Sequence, residues 1–279
     1  MDKTMVRFES EKVTERVTRI YGLTREQMYL VEGDERAALI DTGSGAGSLR
    51  AYVETLTQKP VIVLLTHGHV DHALGAPEFD TVYMNRADDY IYNQHCPLPV
   101  RMGYLSQAPA YAGIVPEDYI PVTSCDAFRD LKDGDVFDLG GIHIEILACP
   151  GHTRGSVCML LAEERTLITG DACNTFTFLF DDYSLKISAY EKNLQSLKEK
   201  AAGRFDRIYL SHGPGREYPV TLIDEVLEVC EDIKAGRCDD VPFDFMGRKA
   251  LIAKACVPQE LRADGKLGNI VYDADRIWE

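Results

Sequence analysis

Directly after the apolar run at residues 61–65 the chain reads T-H-G-H-V-D-H, which places His67, His69, Asp71 and His72 within six residues. An apolar run of this length bounded by a polar turn reads as a buried strand, so the cluster sits where a strand gives way to a loop. The same signature recurs further on. EILACPG is followed by His152, TLITG by Asp171 and RIYLS by His212, so five of the seven histidines and two aspartates stand at strand ends. Loops at one sheet edge can converge on a single pocket while the strands hold their geometry, which makes a layered α/β fold the natural carrier of such a pattern.

Imidazole and carboxylate are the donors that suit zinc, iron or manganese, whereas calcium and magnesium sites are built mainly from oxygen. A catalytic zinc takes three protein ligands and leaves a position for water. Seven donors exceed the need of one ion, while two ions sharing one carboxylate would use all seven. In T-H-G-H-V-D-H, residues two apart in an extended loop point the same way, and Gly68 is expected to let the backbone bend. Two divalent ions are therefore expected, zinc first, with iron or manganese as alternatives.

Composition bounds the rest. With 279 residues, 45% of them hydrophobic, the chain can bury a full core, and a single domain over residues 1–279 is expected. A formal net charge of -15, without a lysine- or arginine-rich block, argues against nucleic acid and anionic membrane as partners and favours a small-molecule substrate. The start, MDKTMVRFESEK, lacks the apolar core of a signal peptide, and no apolar run reaches membrane-spanning length, so a cytoplasmic location is expected. The eight cysteines form no C-x-x-C pair and read as reduced thiols.

Along the chain, RVTRIYGL, EQMYLVEG and RAALIDTG read as strands, the last two joined at Gly33 and Asp34. A helix at Leu49–Leu56, strands PVIVLLTH and TVYMN and a helix at residues 86–94 follow. Residues 96–126 carry five prolines among tyrosines and read as a covering loop, folded over the mouth of the site or against a second copy in a homodimer. The pattern then repeats with strands DVFDL, IHIEILACPG, SVCMLLAE and TLITGDA, a helix at residues 188–201, strand RIYLSHG, a helix at 221–235 and late strands KALIAKA and GNIVYD. Two β-then-α halves point to two sheets stacked face to face with helices outside.

H-x-H-x-D-H after a strand, preceded by I-D-T-G and followed by P-G-H-T, T-G-D and S-H-G in that order, resembles the metallo-β-lactamase superfamily over roughly the first 215 residues. The resemblance implies a four-layer αβ/βα sandwich of two mixed sheets with helices on the outer faces. It implies one ion held by His67, His69 and His152, another by Asp71, His72 and His212, with Asp171 bridging and Asp41 steadying the histidine loop. Asp71 or Asp171 would take up or relay the proton while a hydroxide between the ions attacks an ester-like centre. The superfamily includes thioesterases such as glyoxalase II, lactonases, β-lactamases, nucleases, phosphodiesterases and sulfatases. Cleavage of a small ester, thioester or lactone leads. The alternatives are an iron-dependent persulfide dioxygenase-like enzyme, a phosphodiesterase on the same fold and, last, a non-catalytic metal-binding scaffold. Asn174 stands where quorum-sensing lactonases carry a tyrosine, and His69 stands where flavodiiron proteins carry glutamate.

Other residues draw weaker expectations. A lone D-T-G at Asp41 does not supply the two carboxylates of an aspartic protease. Tyr104, Tyr111, Phe176, Phe178 and Tyr183 lie in the segments expected to cover the site, and Arg154 and Arg216 could meet an anionic substrate group. His95 and His143 read as structural or surface histidines, and Cys173 as a buried thiol.

Overall fold

The computed structural model describes residues 6–106, 113–122, 124–257 and 261–279, and the chain divides into two compact units, Met1–Glu145 and Ile146–Glu279. In the first unit seven strands form one sheet in chain order: β1 (Glu9–Lys12), β2 (Val17–Tyr21), β3 (Gln27–Glu32), β4 (Ala37–Ile40), β5 (Val61–Leu64), β6 (Val82–Met84) and β7 (Arg129–Asp130). Neighbours from β1 to β4 are antiparallel, because short turns join them. From β4 to β7 the pairing is parallel, each step needing a crossover.

The first crossover is helix α1 (Leu49–Leu56). Its early backbone N–H groups are satisfied by the Ser48 hydroxyl, which accepts from Ala51, and by the Glu78 carboxylate, which accepts from Leu49 and Arg50. Leu49 and Val53 bury against Ile20, Leu30, Leu39 and Val63 of the sheet. The later connections carry helices α2 (Val70–Ala73), α3 (Asp89–His95) and α4 (Leu98–Leu105). The parallel register aligns Ile40 with Leu64, so Asp41 and the histidine turn leave the same sheet edge. That alignment is what the parallel half of the sheet contributes to the chemistry.

Strand β8 (Val136–Asp138) forms an antiparallel hairpin with β9 (His143–Ala148), whose last residues enter the second unit. There the order is β13-β11-β10-β9, with β10 (Val157–Leu161), β11 (Thr166–Gly170) and, after β12 (Thr177–Leu179) and helix α5 (Ile187–Ala201), β13 (Arg207–Leu210). β11 and β13 are parallel with Gly170 opposite Leu210, so Asp171 and His212 emerge side by side. Helix α6 (Thr221–Lys234) turns Leu222, Val226, Val229 and Ile233 into a core shared with Tyr190, Leu194 and Leu197 of α5.

The chain ends in β14 (Val241–Phe245), β15 (Arg248–Ile252), the small pair β16 (Cys256–Val257) and β17 (Leu261–Arg262), and β18 (Ile270–Tyr272). β12, β18, β15 and β14 make a four-stranded sheet in that order. The expected α/β class holds: each unit carries a mixed sheet with helices.

Three local expectations change. The helix at residues 86–94 begins as a 3-10 turn, Arg86–Asp88, before α3. The segment at 96–126 is not all loop, since α4 occupies Leu98–Leu105 and a 3-10 turn Pro116–Asp118. Pro99 falls in the first turn of α4, where a missing N–H costs nothing and a fixed φ starts the helix. Strands β1, β7, β12, β14, β16 and β17 went unread, being short, polar or, at Pro242, interrupted by proline.

Candidate metal centre

The first unit builds its ligands on the loop after β5 and on α2. Asp41, just past β4, adopts φ 61°, a left-handed conformation that aspartate tolerates better than most residues. There it gathers three donors. Its Oδ1 accepts from the Thr66 N–H at 2.7 Å, and its Oδ2 accepts from the Thr66 hydroxyl at 2.7 Å and from His72 Nδ1 at 2.8 Å. Because the Thr66 proton is given to Asp41, its oxygen accepts from His67 Nδ1 at 3.0 Å. Nδ1 of both His67 and His72 is thereby the donor in these bonds, which turns each Nε2 away from them toward the neighbouring side chains.

The ligand atoms then fall within coordination distance of one another. His67 Nε2 lies 3.0 Å from His69 Nδ1, and two nitrogens on one tetrahedral zinc stand about 3.3 Å apart. His72 Nε2 lies 3.6 Å from Asp71 Oδ2. All four side chains are buried. Neutral core residues need no such arrangement of imidazoles, each oriented by a carboxylate or hydroxyl at Nδ1.

The loop's path depends on Asp88, whose Oδ2 accepts from the Gly68 N–H at 2.9 Å. A Cβ on residue 68 would stand 2.9 Å from the Asp88 carbonyl oxygen, and Gly68 has no positive φ. Glycine is therefore required by close approach, not by the backbone bend expected from the sequence. Asp88 is wholly buried and lies 20 residues downstream, so nothing local in the sequence marks it. His95, expected to be structural or at the surface, is half-buried with its ring 5.4 Å from that of His69.

Tyr104, on α4, donates its hydroxyl to Asp71 Oδ2 at 2.7 Å. Burial first, and the Asp71 charge second, push the phenol well above its ordinary range, so it remains a donor. α4 is tied down by the buried Arg101, whose guanidinium donates to the carbonyls of Ser44, Gly45 and Ile120 and lies over the Tyr119 ring. Tyr111 lies outside the described residues.

The second unit presents three more donors. His152 Nδ1 donates to the Phe178 carbonyl at 2.8 Å, which turns Nε2 toward Asp171. Asp171 Oδ2 stands 3.7 Å from His152 Nε2 and 3.3 Å from His212 Nε2, a carboxylate oxygen facing two imidazoles. Tyr190 braces this group from α5. Its ring fills the space where a Cβ at Gly151 would sit, and its hydroxyl donates to the Ala172 carbonyl at 2.8 Å. In the sequence Tyr190 is marked only by lying in the helix at 188–201; its contacts near Gly151 and Ala172 are tertiary. Ser184 Oγ donates to the His152 carbonyl at 2.9 Å.

The seven expected ligands are all histidine or aspartate, four carried by the first unit and three by the second. The donor set fits divalent zinc, iron or manganese, since it is nitrogen-rich with the carboxylates in the minority. Of the other candidates, Phe176 and Phe178 are half-buried in an aromatic cluster, Tyr183 donates to Asp181 Oδ2 at 2.8 Å, and Arg154 is exposed. Arg216 lies over the Tyr218 ring, His143 faces Asp138 at the surface, and Cys173 is fully buried. Asn174 is buried, its side chain accepting from the Thr175 N–H.

The metallo-beta-lactamase superfamily model matches residues 21–212, well over half of the chain. The chain belongs to that superfamily. Among curated relatives, an uncharacterised protein of Mycobacterium tuberculosis (strain ATCC 25618 / H37Rv) is 32% identical over 197 residues, covering 68% of this chain and 74% of its own. The human acyl-coenzyme A thioesterase MBLAC2 is 28% identical over 162 residues, 53% of this chain, and the match spans 58% of the human protein. Among solved structures, a metallo-beta-lactamase from Pontibacter korlensis superposes with a TM-score of 0.57 at 20% identity, over 80% of this chain and 98% of that one. The sec-alkylsulfatase Pisa1 from Pseudomonas sp. gives 0.61 at 16% identity, over 83% and 42%. The superfamily fold is thus shown by both sequence and structure.

Proposed function

We propose that this superfamily member is a metal-dependent hydrolase of small acyl thioesters. The observation that carries the reading is that three histidines each have Nδ1 held by a fixed partner: His67 by Thr66, His72 by Asp41 and His152 by Phe178. Superfamily membership supports assigning His67, His69 and His152 to one ion, Asp71, His72 and His212 to a second, and Asp171 to both. When bound, the ions would acidify a water toward hydroxide and place positive charge at the substrate carbonyl. The choice of thioester is supported by the likeness to a human acyl-coenzyme A thioesterase.

The chain's own side chains supply orientation and proton handling. Asp41 and Phe178 fix the tautomers of their histidines. Tyr104 holds one oxygen of Asp71 and so sets the rotation of that carboxylate. The water oxygen adds to the thioester carbon, the C–S bond breaks, and the products are a carboxylic acid and a thiol. The proton released by the water is held at a carboxylate oxygen of Asp71 or Asp171 until the leaving sulfur takes it. No covalent link to the protein forms.

Thiol release from short acyl-coenzyme A esters tests this, alongside a lactone, a phosphodiester and a β-lactam. The thioester should be preferred by about 100-fold or more in kcat/KM, roughly 2.7 kcal/mol in transition-state binding. Chelation should abolish turnover and added zinc should restore it. Preference for the lactone or phosphodiester would reject the thioester assignment.

A further inference from the structure

Five of the chain's ten phenylalanines, Phe176, Phe178, Phe180, Phe243 and Phe245, gather on one face of the four-stranded sheet in the second unit. The register explains why. Phe178 pairs with Val271, Val271 with Ile252, and Phe243 with Ala250, so these side chains stand on the same face while Leu251 and Tyr272 point into the core on the other. The Phe178 ring lies 5.8 Å from Phe243 and 5.3 Å from Phe245, and Phe243 and Phe245 stack at 6.4 Å. Phe245 is 36% exposed and Met246, at the tip of the β14–β15 turn, 54% exposed. The ion pair of Arg248 with Asp181 stands at the rim of the face.

We propose that this aromatic face binds the acyl chain of the substrate. It rests on the thioester reading above for the reacting group. The face begins at a ligand: the carbonyl of Phe178 holds His152, and its ring belongs to the cluster. A substrate carbonyl polarised beside His152 can therefore lay its hydrocarbon tail across Phe178 toward Phe243, Phe245 and Met246. Flat rings and a flexible thioether suit a chain of variable length, having no directional polar demand. A second copy of the protein is the rival occupant. Against it, β14 is an edge strand carrying Pro242 and an outward Asp244, features that blunt strand-to-strand pairing.

The test uses S-alkyl coenzyme A thioethers, which cannot be hydrolysed, with ethyl, butyl, octyl and dodecyl chains, titrated calorimetrically into metal-replete protein. Affinity should rise with length by about twofold or more per methylene, about fourfold being the value for complete burial. Phe245→Ser and Met246→Ser, both at exposed positions, and Phe243→Leu, which keeps an apolar filler, should each flatten that rise. The octyl affinity of Phe245→Ser should fall about tenfold, with the ethyl affinity unchanged. Length-independent affinity, or variants that bind like wild type, would overturn the proposal. So would a dimer in sedimentation that Phe245→Ser converts to monomer without any effect on thioether binding. Thioester hydrolysis measured in parallel separates the two readings: no hydrolysis with length-dependent binding rejects the hydrolase and keeps the acyl face, and the reverse result does the opposite.

Discussion

At the residue scale, the candidate donors were legible because metal chemistry restricts donors to few residue types and a strand end presents them at short spacing. What holds those donors was only partly legible. Asp41 stood out through its motif, whereas Asp88 reaches Gly68 across 20 residues of chain and Tyr104 reaches Asp71 across 33. Such contacts are made by the fold, and composition or periodicity cannot announce them. The consequence is measurable. Tyr104→Phe removes one charge-assisted hydrogen bond and leaves the ring in place, so turnover or zinc affinity should fall about tenfold with little change in the thermal midpoint. Asp41→Ala removes the acceptor of three bonds and should lower zinc affinity by about 10- to 100-fold, read by competition with a chromogenic chelator. Wild-type zinc affinity in Asp41→Ala would mean that Asp41 serves only the fold.

At the scale of elements, long apolar or strongly periodic segments were read correctly: β3, β5, β10, β11, α5 and α6 all lie where the pattern put them. The failures share a cause. β12 and β14 have three and five residues and gain their stability from partners far along the chain, so local pattern carries little of the signal. α4 hides behind prolines that mark a loop in general but a helix start here. The end of α6 offers a test of packing between elements. Asp232 accepts from Lys254 at 2.6 Å and pairs with Arg237 at 2.8 Å, and these bonds hold its carboxyl below the usual range, Lys254 contributing most. A depressed folded pKa stabilises the protein above the unfolded value, near 3.9, and the gain is lost as pH falls through the folded value. Asp232→Asn should cost about 1 kcal/mol at pH 7, and the gap to wild type should close as pH falls through the folded value in denaturant melts. A gap that persists into acid would assign the loss to packing, not charge.

At the scale of the whole molecule, superfamily membership and fold follow from motif order and from superposition, while the reaction depends on the ions and the substrate. Among the described residues no helix is long and apolar enough to cross a membrane. With a net charge of -15, the proposed ions would be the natural place for an anionic substrate group to find attraction. Everything proposed for the chemistry rests on seven side chains holding two ions, and Asp171 is the residue assigned to both. The decisive measurement is elemental analysis of wild type and Asp171→Ala after purification in metal-replete buffer, with thioester turnover on the same samples. Wild type should hold about two ions per chain, and Asp171→Ala about one or fewer, with near-complete loss of turnover and an unchanged circular dichroism spectrum. One ion or none in wild type, or two ions and full turnover in Asp171→Ala, would contradict the two-ion site.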